Sequence, residues 1–134
     1  MERILIAYDG SESAERALDE VARMANGSAV TVVGVAELLP QFGRAGAMML
    51  PEAYAERKAD LAKAKAKLAK LGVEAETVER RGDPATMIID EAAQEKADLI
   101  VVGTRGLNTA KSWLLGSVSS RVMHHAPCNV LVVR

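Results

Sequence analysis

The chain of 134 residues has a single cysteine, few aromatic residues and no long hydrophobic run. One cysteine, Cys128, excludes an intrachain disulfide and a zinc site built from several cysteines, and it fits a reducing compartment. The first apolar run covers about five residues, too short for the hydrophobic region of a signal peptide or for a membrane span. We therefore expect a cytoplasmic protein that is not inserted in a membrane.

A strong charge of one sign is also lacking, because the formal net charge is −1 at pH 7. No general electrostatic field would attract nucleic acid or an anionic membrane surface. The lysine-rich segment 51–72 is interpreted as the solvated face of a helix, so we expect no nucleic-acid partner. Any recognition of an anion must then be local.

Short apolar runs alternate with segments of helical periodicity along the chain. Buried strands are predicted at 3–8, 29–35, 97–103 and 129–133, and a half-exposed edge strand at 73–79. Helices are predicted at 13–25 and 51–72, from Asp83-Pro84 onward and at 116–125, with a mobile loop at 36–52. This order predicts an α/β fold, a five-stranded parallel doubly wound (Rossmann-like) sheet with helices on both faces, in a single domain spanning 1–134.

A glycine-containing loop, GTRGLNTAKSWLLGSVSSR, begins at Gly103 after the fourth strand. Doubly wound sheets bind ligands beyond the carboxyl ends of their strands, and a helix starting at Gly116 would offer N–H donors and a positive dipole end to a phosphate. Arg105 and Lys111 could neutralise the phosphate, while the hydroxyls of Ser117 and Ser119 could bind it or cap the helix. An ordinary turn stays open as the alternative, because neither a P-loop nor G-x-G-x-x-G is present.

Several segments together resemble the universal stress protein family, specifically its ATP-binding branch. The family's loop pattern, G-x2-G-x9-G-[S/T], is matched without insertion by Gly103, Gly106, Gly116 and Ser117. The segments ILIAYDGSESAERAL, RRGDPATMIIDEA and HHAPCNVLVVR are also similar to the family, so the resemblance covers nearly the whole chain.

The resemblance implies ATP, with Mg²⁺, as the ligand. It implies that Asp9 contacts the ribose or the edge of the adenine site, and that Ala7 and Val35 line the base pocket. Around the phosphates it implies Gly103, Arg105, Gly106, Gly116, Ser117 and Val118. The position of Asp9 after the first strand agrees with a ribose contact, and formation of the turn in YDGSES is its alternative role.

Catalytic machinery is not apparent in the sequence. There is no G-x-S-x-G motif, and the adjacent His124 and His125 would point about 100° apart on a helix. No catalytic or metal-ligating residue is assigned, although slow ATP hydrolysis stays open with Asp9 as the one carboxylate to consider. We expect a nucleotide-dependent regulatory protein; the alternatives are an ATP-consuming enzyme of the related α/β superfamily and a nucleotide-free interaction module.

The C-terminal strand suggests self-association. Val130, Leu131, Val132 and Val133 form an apolar run that, at a sheet edge, would expose unpaired backbone groups. Pairing with the same strand of a second copy would satisfy those groups, and the family resemblance implies the same arrangement. We therefore predict a homodimer through this strand.

Overall fold

The computed structural model describes residues 2–37, 51–104 and 116–134. The described helices and strands are, in chain order, β1 (Arg3–Ala7), α1 (Glu12–Met24), β2 (Ala29–Glu37), α2 (Pro51–Lys70), β3 (Ala75–Gly82), α3 (Pro84–Glu95), β4 (Leu99–Gly103), α4 (Ser117–His125) and β5 (Asn129–Val133). None of these helices combines the length and the apolar character needed to cross a membrane.

The strands form one parallel sheet in the order β3-β2-β1-β4-β5. The chain leaves β1 toward β2 and β3, then returns through α3 to β4 on the other side of β1. The carboxyl ends of β1 and β4 therefore flank the point where the strand order reverses, which is where such sheets bind ligands. The predicted five-stranded parallel doubly wound sheet is confirmed, with β1 and β4 as central neighbours.

Two apolar clusters cover the two faces of the sheet. On one face α1 and α2 pack over the side chains of alternate strand residues, including Ile4, Ile6, Val32 and Val101. On the other face α3 and α4 pack over Leu5, Val33, Ile100 and Val102. Strands β1, β2 and β4 are buried on both faces, as strands in the middle of a parallel sheet are, whereas β5, predicted to be buried, is half-buried because it forms an edge of the sheet.

Local signals in the sequence explain where α1 and α3 begin. The hydroxyl of Ser11 accepts a hydrogen bond from the N–H of Ala14 at 3.2 Å and caps α1. Asp83 caps α3 by accepting from the N–H of Thr86 at 3.0 Å, and Pro84 occupies the first turn, as predicted.

Several boundaries differ from those predicted by one to three residues. Strand β2 runs to Glu37 and β3 to Gly82, because the two strands pair in register up to those residues, beyond the end of their apolar patterns. Helix α2 begins at Pro51, as predicted, and β2 ends at Glu37, so both ends of the predicted loop 36–52 belong to regular elements. The rest of that loop, residues 38–50, lies outside the described residues.

Candidate functional site

The turn after β1 carries Asp9. Its carboxylate oxygen Oδ1 accepts a hydrogen bond from the N–H of Ser11 at 2.9 Å, and Gly10 between them has a positive φ of 83°. Asp9 thus shapes the turn that leads into α1, the alternative role considered above, while its side chain remains half-buried at the carboxyl edge of the sheet. Shaping the turn fixes the position of this carboxylate.

Helix α2 packs over the same turn. A Cβ built on Gly10 would lie 3.2 Å from Oδ1 of Asp60, and the Nη2 atom of Arg57 lies 2.9 Å from Oδ2 of that carboxylate. Burial raises the pKa of Asp60 above its ordinary value, and the negative charge of Asp9 acts in the same direction. The side of the turn that faces α2 is therefore already occupied by protein groups.

Tyr8, the residue before Asp9, links the sheet to both α1 and α2. Its buried phenol donates a hydrogen bond to the Glu15 carboxylate, which also accepts from Lys67 Nζ at 3.0 Å. Burial, followed by this hydrogen bond, raises the pKa of Tyr8 well above its usual range. The network holds the end of β1 firmly, and the sequence analysis did not identify it.

The end of β4 is shaped by close packing and hydrogen bonds. A Cβ on Gly103 would lie 2.9 Å from the backbone carbonyl carbon of Ser13, so glycine is required there for α1 to approach β4. The Ser119 hydroxyl donates to the carbonyl oxygen of Gly103, and the N–H of Gly116 donates to the carbonyl oxygen of Thr104 at 2.6 Å. The first turn of α4 is thereby attached to the end of β4.

The amino terminus of α4 differs from those of α1 and α3. Its N-cap residue is Gly116, which offers no side-chain hydrogen bond to the helix, whereas the other two helices are capped by Ser11 and Asp83. The first turn of any helix carries N–H groups without an intrahelical partner and the positive end of the dipole. At α4 the N-cap residue is a glycine and has no side chain to accept hydrogen bonds from these N–H groups.

Most of the predicted site residues within the described ranges come together at this edge. Ala7 and Val35 lie near the carboxyl ends of β1 and β2, half-buried on the face covered by α3 and α4, where Val118 also packs. Ser117 is exposed, whereas Ser119 is buried and its hydroxyl donates a hydrogen bond to the carbonyl oxygen of Gly103. Arg105, Gly106 and Lys111 lie outside the described residues.

Metal-ligating side chains of the described residues do not gather at this edge. Within the described ranges, no three His, Cys, Asp or Glu residues are placed to hold a metal ion. His124 and His125 occupy the last turn of α4, at the end opposite Gly116, with ring centroids 6.4 Å apart. Among the described residues, this edge carries backbone N–H donors, the Ser117 hydroxyl and the carboxylate of Asp9, whose position the turn fixes.

The fold defines an α/β protein whose strand order reverses between β1 and β4, the position at which sheets of this kind bind ligands. A sequence profile of the universal stress protein family matches residues 1–134. A universal stress protein of Thermus aquaticus is 42% identical over 136 residues, which cover 98% of this chain and 97% of the relative. The chain belongs to the universal stress protein family, as the loop pattern indicated.

Two solved structures extend the comparison. The universal stress protein from Archaeoglobus fulgidus in complex with dAMP is 29% identical with a TM-score of 0.78, and the match covers 100% of this chain and 98% of that one. A universal stress protein in complex with cAMP is 28% identical with a TM-score of 0.76, covering 99% and 97% of the two chains.

Proposed function

We propose that this chain binds an adenine nucleotide, with ATP as its ligand, and acts as a nucleotide-dependent regulatory protein of the stress response. The observation that carries the proposal is the amino terminus of α4, whose N-cap residue makes no side-chain hydrogen bond and which is hydrogen-bonded to the end of β4, the strand beside β1. Such a terminus binds phosphate through backbone N–H groups and the helix dipole. The relatives in complex with dAMP and cAMP support adenine as the base.

Each predicted site residue has a role in this proposal. The Asp9 carboxylate accepts hydrogen bonds from the ribose, and Ala7 and Val35 contact the base. The phosphates lie against the segment from Gly103, Arg105 and Gly106 to the first turn of α4, with Gly116, Ser117 and Val118. Ser119 contributes by fixing that turn to Gly103. Mg²⁺ is held mainly by phosphate oxygens, since this ion commonly needs only one or two protein ligands.

The homodimer and the cytoplasmic location remain part of the proposal. Strand β5 is an edge strand, and Val130, Leu131, Val132 and Val133 are each half-buried in a single chain. An apolar edge strand of this kind is suited to pairing with a second copy. The reducing compartment inferred from Cys128 supports the cytoplasm.

Calorimetric titration tests the nucleotide proposal. We expect micromolar binding of Mg-ATP, tighter than that of AMP, by protein first shown to carry no co-purified nucleotide. Gly116→Asp puts a carboxylate at the N-cap of α4, where it competes with phosphate for the same donors, and should weaken ATP binding about tenfold or more. Asp9→Asn retains a turn-forming oxygen but loses the charge, so it should weaken ATP and adenosine alike.

The control is Asp90→Asn, which removes an exposed carboxylate from α3 away from the proposed pocket. Its affinity for ATP should equal that of the unmodified chain, and circular dichroism should show that all variants are folded. Absence of any adenine-nucleotide binding would refute the proposed function and favour a nucleotide-free interaction module. Equal affinities for AMP and ATP would retain the site but refute ATP as the preferred ligand.

A further inference from the structure

Arg121, one turn into α4, makes a forked contact with the start of α3. Its Nη1 atom donates to Oδ1 of Asp83 at 3.0 Å and lies 2.9 Å from Oδ2, and its Nη2 atom donates to the Thr86 hydroxyl at 3.4 Å. The two terminal nitrogens of the guanidinium thus contact two different groups, the Asp83 carboxylate and the Thr86 hydroxyl, which restricts its rotation as well as its distance. The contact joins the two helices that cover one face of the sheet.

The carboxylate of Asp83 is itself fixed in place. Its Oδ2 atom accepts from the N–H of Thr86 at 3.0 Å and from the Thr86 hydroxyl at 2.7 Å. The hydrogen bond from Arg121, followed by those from Thr86, lowers the pKa of Asp83 to about 2, so the group is ionised at neutral pH. Asp83 is therefore a half-exposed, charged attachment point at the amino terminus of α3, oriented by its hydrogen bonds with Thr86.

Helix α4 depends on its contacts with the rest of the fold. It has nine residues, too few for stability on its own, and its N-cap is a glycine without a side-chain hydrogen bond. Val118 and Val122 belong to the apolar cluster beneath α3, and the hydrogen bonds of Gly116 and Ser119 join the first turn to β4. The contact of Arg121 with Asp83 adds a polar link from α4 to α3. Arg121 follows Ser117 by one turn on the same side of the helix, so its fork restrains the turn that faces the proposed phosphate.

We propose that Asp83 and Arg121 are positioning residues that hold the amino terminus of α4 at the orientation required for phosphate binding. The inference rests on the proposed function. Neither residue contacts the nucleotide; each acts through the orientation of the N–H groups after Gly116. Small errors in the placement of backbone donors weaken anion recognition, because hydrogen bonds lose strength as their geometry departs from linear.

Titrations with AMP and with adenosine, which lacks the phosphate, test the inference. Asp83→Asn keeps a good N-cap for α3 but loses the charged partner, and Arg121→Gln loses the fork. We expect each variant to weaken AMP binding about three- to tenfold without changing adenosine binding. The double variant should lose no more than either single one, as expected of residues acting as a pair. Arg121→Lys should retain part of the affinity.

The matched control is another exposed ion pair, Arg23 with Glu20, at the end of α1 from which the chain enters the amino end of β2. Arg23→Gln should leave both affinities unchanged, and the thermal unfolding of all variants should stay close to that of the unmodified chain.

Three results would overturn the inference. If Arg121 bound phosphate directly, Asp83→Asn would free it and leave AMP affinity unchanged or increased. A parallel loss of AMP and adenosine affinity would indicate a general structural role, and unchanged affinities in both variants would remove the pair from the site. If the unmodified chain binds no AMP or ATP, the proposed function itself fails, and this inference with it.

Discussion

Gly103 at the end of β4 lies directly against Ser13 in the first turn of α1. A Cβ on Gly103 would stand 2.9 Å from the backbone carbonyl carbon of Ser13 and closer still to its Oγ atom. The glycine of the family loop pattern therefore has a packing role in addition to any contact with a ligand. Its φ is outside the left-handed range, so the requirement is steric.

Gly103→Ala should consequently destabilise the fold before it affects ligand binding. Overpacking at such a contact costs about 1–3 kcal/mol, measurable as a lower midpoint in urea unfolding. Ser13→Ala in the same chain should recover only part of the loss, because the backbone carbonyl carbon stays in place. An unfolding midpoint unchanged by Gly103→Ala would contradict the close packing of α1 on β4.

Glu91 and Glu95 provide a second test, through pH. The two carboxyl groups share a hydrogen bond on the sheet-facing side of α3. The Nη1 atom of Arg80 in β3 lies 2.7 Å from Oε1 of Glu91, and the side chain of Thr31 in β2 forms a hydrogen bond with Glu95. Burial, followed by the hydrogen bond to Glu91, raises the pKa of Glu95 to about 7, and the nearby charge of Arg3 opposes the rise. Glu95 therefore holds its proton in the folded chain at mildly acidic pH.

The direction in which stability changes with pH follows from proton binding. Between the ordinary pKa of 4.5 and about 7, the folded chain binds more protons at Glu95 than the unfolded chain does. The stability from this group is complete below pH 4.5 and is lost as the pH rises through 7. Allowing for solvent screening, the loss is on the order of 1 kcal/mol.

Urea unfolding at a series of pH values between about 5 and 8 measures this slope. The side chain in Glu95→Gln cannot ionise, so the decline of the unfolding free energy with rising pH should flatten. Asp90→Asn, which alters an exposed carboxyl of the same helix, should retain the decline. If the unfolding free energy of the Glu95→Gln variant fell with pH as steeply as that of the unmodified chain, the carboxyl pair would not be the source of the decline.

Strand β5 allows the proposed dimer to be disrupted without disturbing the sheet. The carbonyl oxygen of Val133 accepts from the N–H of Thr104 at 2.8 Å, so the backbone groups of Val133 point toward β4. Those of Val132 point toward the open edge, since the direction alternates along a strand. Val132→Pro should therefore remove an outward N–H, leave the bonds to β4 intact and give a folded monomer.

Light scattering during size-exclusion chromatography provides the measurement, with a dimer expected for the unmodified chain. Leu131→Pro is the matched control, because the backbone groups of Leu131 point toward β4 and the substitution should destabilise the fold itself. A monomer already observed for the unmodified chain at micromolar concentration would refute the dimer.

The sequence predicted all five strands, because apolar runs are typical of strands in a covered parallel sheet, but it could not show that β5 lies at the edge and is only half-buried. It also located α3, since an Asp-Pro pair has a direct local effect on where a helix begins. It could not predict that Gly103 contacts Ser13 or that Arg121 contacts Asp83, because those residues are far apart in the chain and meet only once the sheet has formed. The ends of β2 and β3 were missed for a related reason, as their final pairs contain Arg80, Arg81 and Gly82.

The two edges of the sheet differ in chemistry. Strand β5 is apolar, whereas β3 carries Glu76, Glu79, Arg80 and Arg81 along the opposite edge. Two chains joined through β5 would present β3 at both outer edges of a continuous sheet. Charged edges of this kind resist the addition of further strands, so association would close at two copies instead of growing into a fibre.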